Sequence, residues 1–337
     1  MSSKRILLTG IGGFIGSHCL SHLLVNTDWE IVGIDSWRHK GISERLTHNE
    51  HFLKHIKRVN IYTHDLIAPI SSVLKSKIGK VDYIINFASE SHVDRSITNP
   101  VPFVKNNVDI ALNMLEYARE INPEKFVQIS TDEVYGATDG KYTHPEWSAI
   151  LPSNPYSASK ACQEAIAISY WRTYGVPVMI TNIMNTAGEY QSSEKYVPMV
   201  IKKILNGEKV QVHADPKSGE PGSRFWLHAR NTSDAILFIL KNVDVKKFPE
   251  VDRPERFNIV GEKQISNLEI AKMIADVMGK DLDYELVDAH SSRPGHDPHY
   301  GLCGKKLESY GYKFPVNLHS SLEKMVKWTL NNKEWLE

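Results

Sequence analysis

Two groups of residues in the middle of the chain have the types and the spacing for acid–base chemistry on an alcohol. The segment Ser130-Thr131-Asp132-Glu133-Val134-Tyr135-Gly136 places two carboxyl groups side by side, and Tyr156-x-x-x-Lys160 follows it. Residues four apart share a helix face, so the lysine ammonium can reach the tyrosine oxygen or a cofactor ribose. A nearby cation lowers the pKa of a tyrosine, which can then take a hydroxyl proton while a nicotinamide takes the hydride. That oxidation needs no acid pair, and Asp132 and Glu133 therefore indicate a second reaction.

Each of these patterns also has an ordinary structural interpretation. An acid pair after a strand often caps a helix or lies in a solvated loop, and tyrosine and lysine often share an exposed helix face. Because neighbours on a strand point to opposite faces, both carboxyls can serve one substrate only if the chain turns there. Val134-Tyr135-Gly136 permits such a turn. The catalytic interpretation therefore depends on what precedes these residues.

A glycine-rich turn precedes them, between a predicted strand and a predicted helix. Gly10-Ile11-Gly12-Gly13-Phe14-Ile15-Gly16 follows the apolar residues 5–9 and opens a helical pattern. Glycine lets the backbone approach a pyrophosphate closely, and a helix N-terminus attracts it. Asp35 ends the second predicted strand, where an acid can bind the adenosine ribose hydroxyls. The carboxylate favours NAD, because it would repel a 2′-phosphate, while Arg38 and Lys40 nearby leave NADP open.

Short apolar runs alternate with helical patterns through the first half of the chain. Near-continuous apolar strands separated by helices are typical of a parallel sheet covered on both faces. We predict a doubly wound α/β sheet whose strands are residues 5–9, 30–35, 59–62, 81–87, 126–130 and 176–181. After about Asn185 the pattern changes to loops and scattered helices. We predict a cofactor-binding domain of residues 1–184, to which 223–260 returns, and a smaller α/β substrate domain of residues 185–337.

The composition argues against several classes of partner. The 337 residues carry 40 Lys and Arg and 40 Asp and Glu, for a net charge of zero. This balance provides no electrostatic footprint for nucleic acid or an anionic membrane. No apolar run approaches the roughly 20 residues that span a bilayer, and no secretory signal is recognised. The three cysteines are far apart and form neither a disulfide framework nor a metal motif. We therefore predict a cytoplasmic chain with no nucleic-acid, membrane or metal partner.

Taken together, these segments resemble the extended short-chain dehydrogenase/reductases, and more narrowly the nucleotide-diphosphate-glucose 4,6-dehydratases. The resemblance covers nearly the whole chain and implies a Rossmann-type fold with bound NAD. The matching segments are Thr9–Gly16, Ala88–Ile97, Ser130–Gly136, Asn154–Ala161, Glu194-Lys195, Arg293–Asp297 and Trp328–Trp335. Epimerases of the same group usually have neutral residues where Asp132 and Glu133 stand.

The resemblance also implies a division of labour among the residues. Tyr156 would take the C4 hydroxyl proton, with Thr131 bonded to the same hydroxyl and Lys160 as the supporting cation. Glu133 would remove the C5 hydrogen and Asp132 would protonate the departing C6 hydroxyl. The implied cofactor contacts are Gly10, Gly13, Phe14, Ile15, Gly16, Asp35, Asp65, Leu66, Ala88, Tyr156 and Lys160. The implied contacts with the nucleotide-diphosphate sugar are Ser91, Asn185, Glu194, Lys195, Arg224, Asn258, Arg293 and His296. Family members usually form a homodimer through a four-helix bundle, here from residues 103–120 and 156–174.

The chain differs from the family pattern in three places. Asn185-Thr186-Ala187-Gly188 and residues 223–231, with Phe225 in place of an aspartate, border the expected sugar-nucleotide pocket. Residues 36–39 after Asp35 are also unusual. The first two differences concern the nucleobase and the hexose more than the reaction.

Alternatives to a 4,6-dehydratase remain at this point. One is another reaction that starts from the same C4 ketone, namely a 5,6-dehydratase, a decarboxylase or an epimerase. Another is a non-catalytic sensor of NAD or nucleotide sugars, which would have no use for the full set of acid–base residues.

Overall fold

The fold is built on a sheet of seven parallel strands, and a computed structural model describes residues 3–38, 41–216, 218–288 and 297–337. The strands run in the spatial order β11-β6-β5-β4-β1-β2-β3. Their bounds are β1 (Arg5–Thr9), β2 (Glu30–Asp35), β3 (Val59–Thr63), β4 (Tyr83–Asn86), β5 (Lys125–Thr131), β6 (Val178–Ile183) and β11 (Glu255–Ile259). The predicted doubly wound fold class is confirmed.

Helices cover both faces of this sheet because its strands are apolar on both sides. Alternate residues of β1 enter opposite cores, with Ile6 and Leu8 on one side and Leu7 on the other. The first core is closed by α1 (Phe14–Asn26) and α9 (Ala229–Asn242). The second is closed by α4 (Ser72–Ile78), α6 (Pro100–Ile121) and α7 (Pro155–Tyr174), of which α6 and α7 pack against each other.

The sequence sets the ends of α7, the helix that carries the tyrosine and the lysine. Asn154 and Ser157 form a capping box, in which each side chain accepts a hydrogen bond from the other's backbone N–H. Pro155 occupies the first turn, where its missing N–H has no cost. Gly175 ends the helix in the left-handed conformation at φ +70°. The start of α7 is therefore well defined in position.

A smaller lobe lies over the carboxyl edge of the sheet. It contains three two-stranded sheets, which pair β7 (Thr186–Ala187) with β10 (Leu227–His228), β8 (Val210–Ala214) with β13 (Tyr284–Asp288), and β9 (Ser223–Phe225) with β12 (Gln264–Ser266). The helices α8 (Tyr196–Asn206), α10 (Asn267–Met278) and α12 (Leu318–Asn331) share its core.

The remaining elements are short. They are the helices α2 (Glu44–Thr47), α3 (Glu50–Lys54), α5 (Val93–Thr98) and α11 (Lys305–Ser309), and 3₁₀ turns at 56–58, 132–135 and 333–336. None of the helices in the described part of the chain is long and apolar enough to cross a membrane.

Residues 223–260 contact both the small lobe and the large sheet. Within residues 223–260, β9 and β10 pair with strands of the small lobe, whereas α9 and β11 pack on and extend the large sheet. Strand β11 pairs in parallel with β6 and becomes its edge neighbour. The part that packs on the large sheet starts with α9 at Ala229, and the domains, residues 1–184 with 223–260 and residues 185–337, remain predictions.

Candidate active site

A cavity of about 660 Å³ lies between the carboxyl edge of the large sheet and the small lobe. Open parallel sheets bind their ligands at this edge. All five predicted catalytic residues and all eleven predicted cofactor contacts line the cavity. So do five of the eight predicted substrate contacts: Ser91, Asn185, Glu194, Lys195 and Arg224.

The glycine turn forms a cradle that side chains would fill. Gly10 has φ +66°, which favours glycine, and a Cβ on Gly16 would lie 2.2 Å from the Gly10 carbonyl oxygen. Helix α1 starts at Phe14, and no side chain of the described residues caps it. Its first backbone N–H groups are therefore left for a ligand, and the helix dipole favours an anion there. The cradle fits the pyrophosphate of a dinucleotide.

Asp35 lies at the end of β2 with its carboxylate against this turn. Its two oxygens accept hydrogen bonds from the backbone N–H groups of Gly12 (2.9 Å) and Trp37 (3.0 Å). Carboxylate oxygens retain further acceptor capacity, so Asp35 can also accept from ribose hydroxyls.

Arg38, one of the two cations that could have bound the 2′-phosphate of NADP, is bound to other groups of the protein. Arg38 forms an ion pair with Asp65 at 3.1 Å and donates to the Asn106 side chain at 2.7 Å. Lys40 lies outside the described residues. The polar environment of the adenosine end thus includes two carboxylates, which suits the hydroxyls of NAD.

The acid pair lies on a tight turn directly after β5. Residues 132–135 form a 3₁₀ turn, so Asp132 and Glu133 leave the strand alternation and both reach the cavity. The Thr131 hydroxyl donates to Asp132 at 2.8 Å, and the Asn154 amide donates to Glu133 at 3.1 Å. The α7 cap therefore also holds one of the two acids.

Burial sets the protonation of the pair. Asp132 is buried, and this, with the neighbouring Glu133 charge, raises its pKa to about 7. Burial also raises the pKa of Glu133, opposed by the Asn154 hydrogen bond and by the positive charges of Arg224 and Lys195. Asp132 is thus suited to hold a proton near neutral pH, while Glu133 has three groups that favour its ionised form.

Tyr156 and Lys160 lie on one face of α7 but do not behave as the spacing predicts. Burial and the two acids raise the pKa of Tyr156, against the effect of a hydrogen bond with Thr131. The Lys160 ammonium donates to the Ile129 carbonyl oxygen (2.7 Å) and to the Gln163 side chain (2.5 Å). The expected lowering of the tyrosine pKa by this lysine is therefore not found, because the ammonium is directed to other acceptors. Burial lowers the pKa of Lys160 to about 7.

The small lobe supplies most of the charged groups at the other end of the cavity. Glu194 lies 3.5 Å from the His92 ring nitrogen across the cavity, and Lys195 is the N-cap of α8. The buried Arg224 guanidinium donates to the carbonyl oxygens of Ser223, Asp297 and Pro298 and lies 4.5 Å from the Tyr300 ring centre. Its positive charge favours the ionised forms of both acids.

One predicted substrate contact among the described residues does not line the cavity. Asn258 is fully buried on β11, and its amide nitrogen donates to the carbonyl oxygens of His144 (3.0 Å) and Cys303 (3.2 Å). It binds two loops to the sheet instead of a ligand, because β11 is a strand of the large sheet. Arg293 and His296 lie outside the described residues.

Sequence reasoning missed one buried cation beside the cofactor cradle. Arg45 lines the cavity, is 3% exposed, and donates to the carbonyl oxygens of Gly12 and Tyr190, each at 3.0 Å. It connects the glycine turn to the small lobe. Residues 44–54 are rich in charge, and nothing in their spacing distinguishes a buried arginine from an exposed one.

Comparisons with known proteins agree with this geometry. Residues 7–325 match the family model described as GDP-mannose 4,6 dehydratase. The chain is 32% identical to the low-salt glycan biosynthesis protein Agl12 of Haloferax volcanii, over 98% of this chain and 99% of that protein. It is also 32% identical to the dTDP-glucose 4,6-dehydratase of Salmonella typhimurium, over 98% and 94%. The crystal structure of DesIV, a dTDP-glucose 4,6-dehydratase of Streptomyces venezuelae with NAD and TYD bound, superposes with a TM-score of 0.86 at 31% identity, covering 99% of each chain.

Proposed function

Since the chain belongs to the GDP-mannose 4,6-dehydratase family, and is an NAD-dependent lyase that dehydrates a nucleotide-diphosphate hexose, we propose how its residues divide that reaction. The product is a nucleotide-diphosphate 4-keto-6-deoxyhexose. When bound, NAD⁺ accepts the hydride from C4 and returns it to C6. The glycine cradle, the uncapped start of α1 and Asp35 would hold this cofactor.

Oxidation at C4 is assigned to Tyr156 with Thr131. Tyr156 takes the proton of the C4 hydroxyl, and the Thr131 hydroxyl, already hydrogen-bonded to the tyrosine, orients the same oxygen. Lys160 on the next turn lines the same cavity, where its ammonium would bind the nicotinamide ribose and add positive charge near the reacting oxygen once the cofactor is bound. Thr131 and Lys160 are buried, which limits the access of water to this end of the cavity.

Elimination of water is assigned to the acid pair. A carbonyl at C4 acidifies the hydrogen at C5, which Glu133 removes. Asp132 gives its proton to the C6 hydroxyl, which then leaves as water. When the hydride returns to C6, Glu133 gives a proton back to C5, and exchange with solvent moves the proton taken by Tyr156 to replace the one lost by Asp132. The observation that carries this proposal is the pair itself: two neighbouring carboxyls at the carboxyl end of β5, one buried and bonded to Thr131, the other bonded to Asn154. Such unequal surroundings give one acid and one base at the same pH.

Incubation with dTDP-, UDP-, GDP- and CDP-hexoses in heavy water tests the proposal. We expect a product lighter by one water, with deuterium from solvent at C5. Glu133→Gln should abolish the deuterium exchange while NADH still forms, since Tyr156 and Lys160 are unchanged.

Other products would point to the alternatives. Loss of carbon dioxide would indicate a decarboxylase and an unchanged mass an epimerase. Unchanged C5 exchange in Glu133→Gln would exclude Glu133 as the base, and no reaction with any sugar would favour a sensor. The same panel identifies the nucleobase and the hexose.

We also infer a homodimer through α6 and α7, in the cytoplasm. The outward side of α6 carries exposed apolar residues, including Val101 (67% exposed) and Leu112 (36% exposed), beside α7. Two such faces would form a four-helix bundle.

Light scattering should give twice the mass of the chain, and Leu112→Glu should shift the mass toward that of the monomer. A monomeric native protein would contradict the proposed homodimer. The three free cysteines suit a reducing compartment.

A further inference from the structure

The Lys160 ammonium is held from behind by a side chain to which the mechanism gives no role. Gln163 lies less than one turn further along α7 and is fully buried. Its side-chain oxygen accepts from Lys160 at 2.5 Å, and the Ile129 carbonyl accepts a second N–H of the ammonium at 2.7 Å. An ammonium has three donors, so one is left to face the cavity that Lys160 lines.

The orientation of the Gln163 amide is fixed by two other bonds. Its nitrogen donates to the Asn107 carbonyl oxygen on α6 at 2.7 Å. Its oxygen also accepts from the Gln128 amide nitrogen on β5 at 3.2 Å. Donation from one end of an amide polarises it and strengthens its oxygen as an acceptor. The amide can therefore present only its oxygen to the lysine.

The bonds continue across the sheet to the cofactor cradle. The Asn86 amide nitrogen on β4 donates to the Gln128 oxygen at 3.0 Å, and the Thr9 hydroxyl at the end of β1 donates to the Asn86 oxygen at 2.6 Å. Thr9 in turn accepts from the backbone N–H of Ala88 at 3.1 Å. Thr9, Asn86, Gln128 and Gln163 are all 0% exposed. We call these four residues and Lys160 the buried relay. It connects Thr9, which precedes the glycine turn, to Lys160.

The relay contains no anion, which matters for the lysine. The nearest carboxylate on its own helix, Glu164, is taken by Arg256 at 2.7 Å and by the Asn182 amide at 2.7 Å. Neutral acceptors stabilise an ammonium in a buried place without cancelling its charge. The positive charge of Lys160 thus stays available on the cavity side.

We propose that Gln163 is a positioning residue of the reaction, which holds the Lys160 ammonium in place and charged and couples it through Gln128 and Asn86 to the cofactor cradle. The inference rests on the proposed function in that Lys160 acts there. Removal of the Gln163 acceptor should disfavour the charged form of Lys160, while a carboxylate in its place should favour it.

Several titratable groups face the same end of the cavity. Tyr156 lies one turn back on α7, and Asp132 and Glu133 come from the turn after β5. Glu164 and its partner Arg256, from β11, lie behind the helix, and Glu164 raises the lysine pKa that burial lowers to about 7. From α6 the relay receives only the carbonyl group of Asn107. Variants at Gln163 leave all of these groups unchanged.

The test uses the full-length protein with ¹³Cε-labelled lysine and two opposite changes, Gln163→Met and Gln163→Glu. NMR titration of the Lys160 signal, identified by its absence in Lys160→Met, should give a pKa lower than native by about one unit or more in Gln163→Met. In Gln163→Glu the pKa should rise, since a close opposite charge favours the ammonium. The rate of NADH formation in the first half-reaction should fall as pH rises and Lys160 loses its proton. The pH of this fall should be lower than native in Gln163→Met and higher in Gln163→Glu.

Thr181→Val is the matched control. Thr181 is 0% exposed on β6, and its hydroxyl has no partner among the described residues, so the change buries an apolar group without touching the relay. The lysine titration should equal that of the native protein. Equal titrations in native and Gln163→Met would overturn the proposal. If Gln163→Met does not fold, Gln163→Glu decides, and a pKa that fails to rise rejects the role.

The two hypotheses fail separately. Opposite pKa shifts without turnover of any nucleotide sugar would leave the positioning role intact and remove the proposed function. Dehydration of a nucleotide sugar with an unchanged Lys160 pKa in both variants would support the proposed function and reject the positioning role of Gln163.

Discussion

The two walls of the cavity are built on different principles. The cofactor wall consists of the carboxyl ends of parallel strands, and its polar side chains, charged ones included, are held by buried hydrogen bonds such as those of the buried relay. The substrate wall consists of short paired strands and loops, and its groups are mainly charged: Glu194, Lys195 and Arg224. The side chains assigned to the reaction are thus positioned by buried hydrogen bonds on the cofactor wall. The substrate wall offers charged groups that can bind the phosphates and the sugar.

The largest difference between the walls should appear on removal of the phenol. Tyr156→Phe takes away the group that accepts the C4 proton, so we expect kcat to fall by roughly 10²–10⁴-fold with little change in KM. Steady-state rates and NADH absorbance measure it. Tyr196→Phe on the substrate wall, which loses only a bond from the hydroxyl to the Asn267 carbonyl oxygen, is the control. Comparable losses of kcat in both variants would contradict the assignment of the reaction to the cofactor wall.

The next effect concerns the support of the cofactor wall. The Arg256 guanidinium and Glu164 are about 1% and 0% exposed, and they join β11 to α7. Arg256→Met leaves a buried carboxylate unpaired, and we expect the free energy of unfolding to fall by about 3–5 kcal/mol. Denaturant titration measures this. Arg253→Met removes an exposed arginine paired with Asp252 and should leave the free energy of unfolding nearly unchanged. Equal losses in the two variants would refute the structural role of the buried pair.

A smaller effect on stability should come from the acid pair and should depend on pH. Burial raises the pKa of Asp132 to about 7, so between about pH 4 and 7 the folded chain binds more protons there than the unfolded chain. Its contribution is therefore most favourable at low pH and is lost as pH rises through this window. Asp132→Asn should be more stable than native at about pH 8, by on the order of 1–4 kcal/mol, and gain nothing near pH 4. A gain that is the same at both pH values would contradict this assignment.

The smallest effect should arise on the substrate wall. Arg224→Lys keeps the charge but loses the planar fork that reaches three carbonyl oxygens. We expect KM for the nucleotide sugar to rise by about tenfold, with kcat changed much less. Initial-rate measurements test this, and a loss confined to kcat would place Arg224 with the chemistry instead.

The same difference between the walls explains what the sequence could predict. Thr131, Asp132 and Glu133 directly follow the predicted strand of residues 126–130, and Tyr156 and Lys160 lie four residues apart, so these candidates could be recognised from local patterns. Partners that come from distant segments did not follow. Arg45 is an example, because its role depends on the Gly12 and Tyr190 carbonyl groups that lie opposite it only after folding. Gln163 is near Lys160 in sequence, but its amide is oriented by Gln128 and Asn107 from other elements.

The failures have the same physical origin. Asn258 was assigned to the substrate by resemblance, yet β11 adds to the large sheet and buries it. The direction of the Lys160 ammonium could not be inferred from helix spacing, since Ile129 and Gln163 offer better acceptors than a buried phenol. Spacing identifies which residues can meet, whereas competition among partners decides which do.

The uncapped start of α1 has a consequence beyond binding. No side chain of the described residues caps the first turn of this helix, so its first backbone N–H groups can be satisfied by the pyrophosphate of a bound cofactor. Dehydration by internal hydride return consumes no oxidant, so the coenzyme never has to leave. A dinucleotide that stays bound between turnovers would also complete this end of the helix, and the protein stripped of it should be cut by proteases at residues 10–16 sooner than the loaded protein.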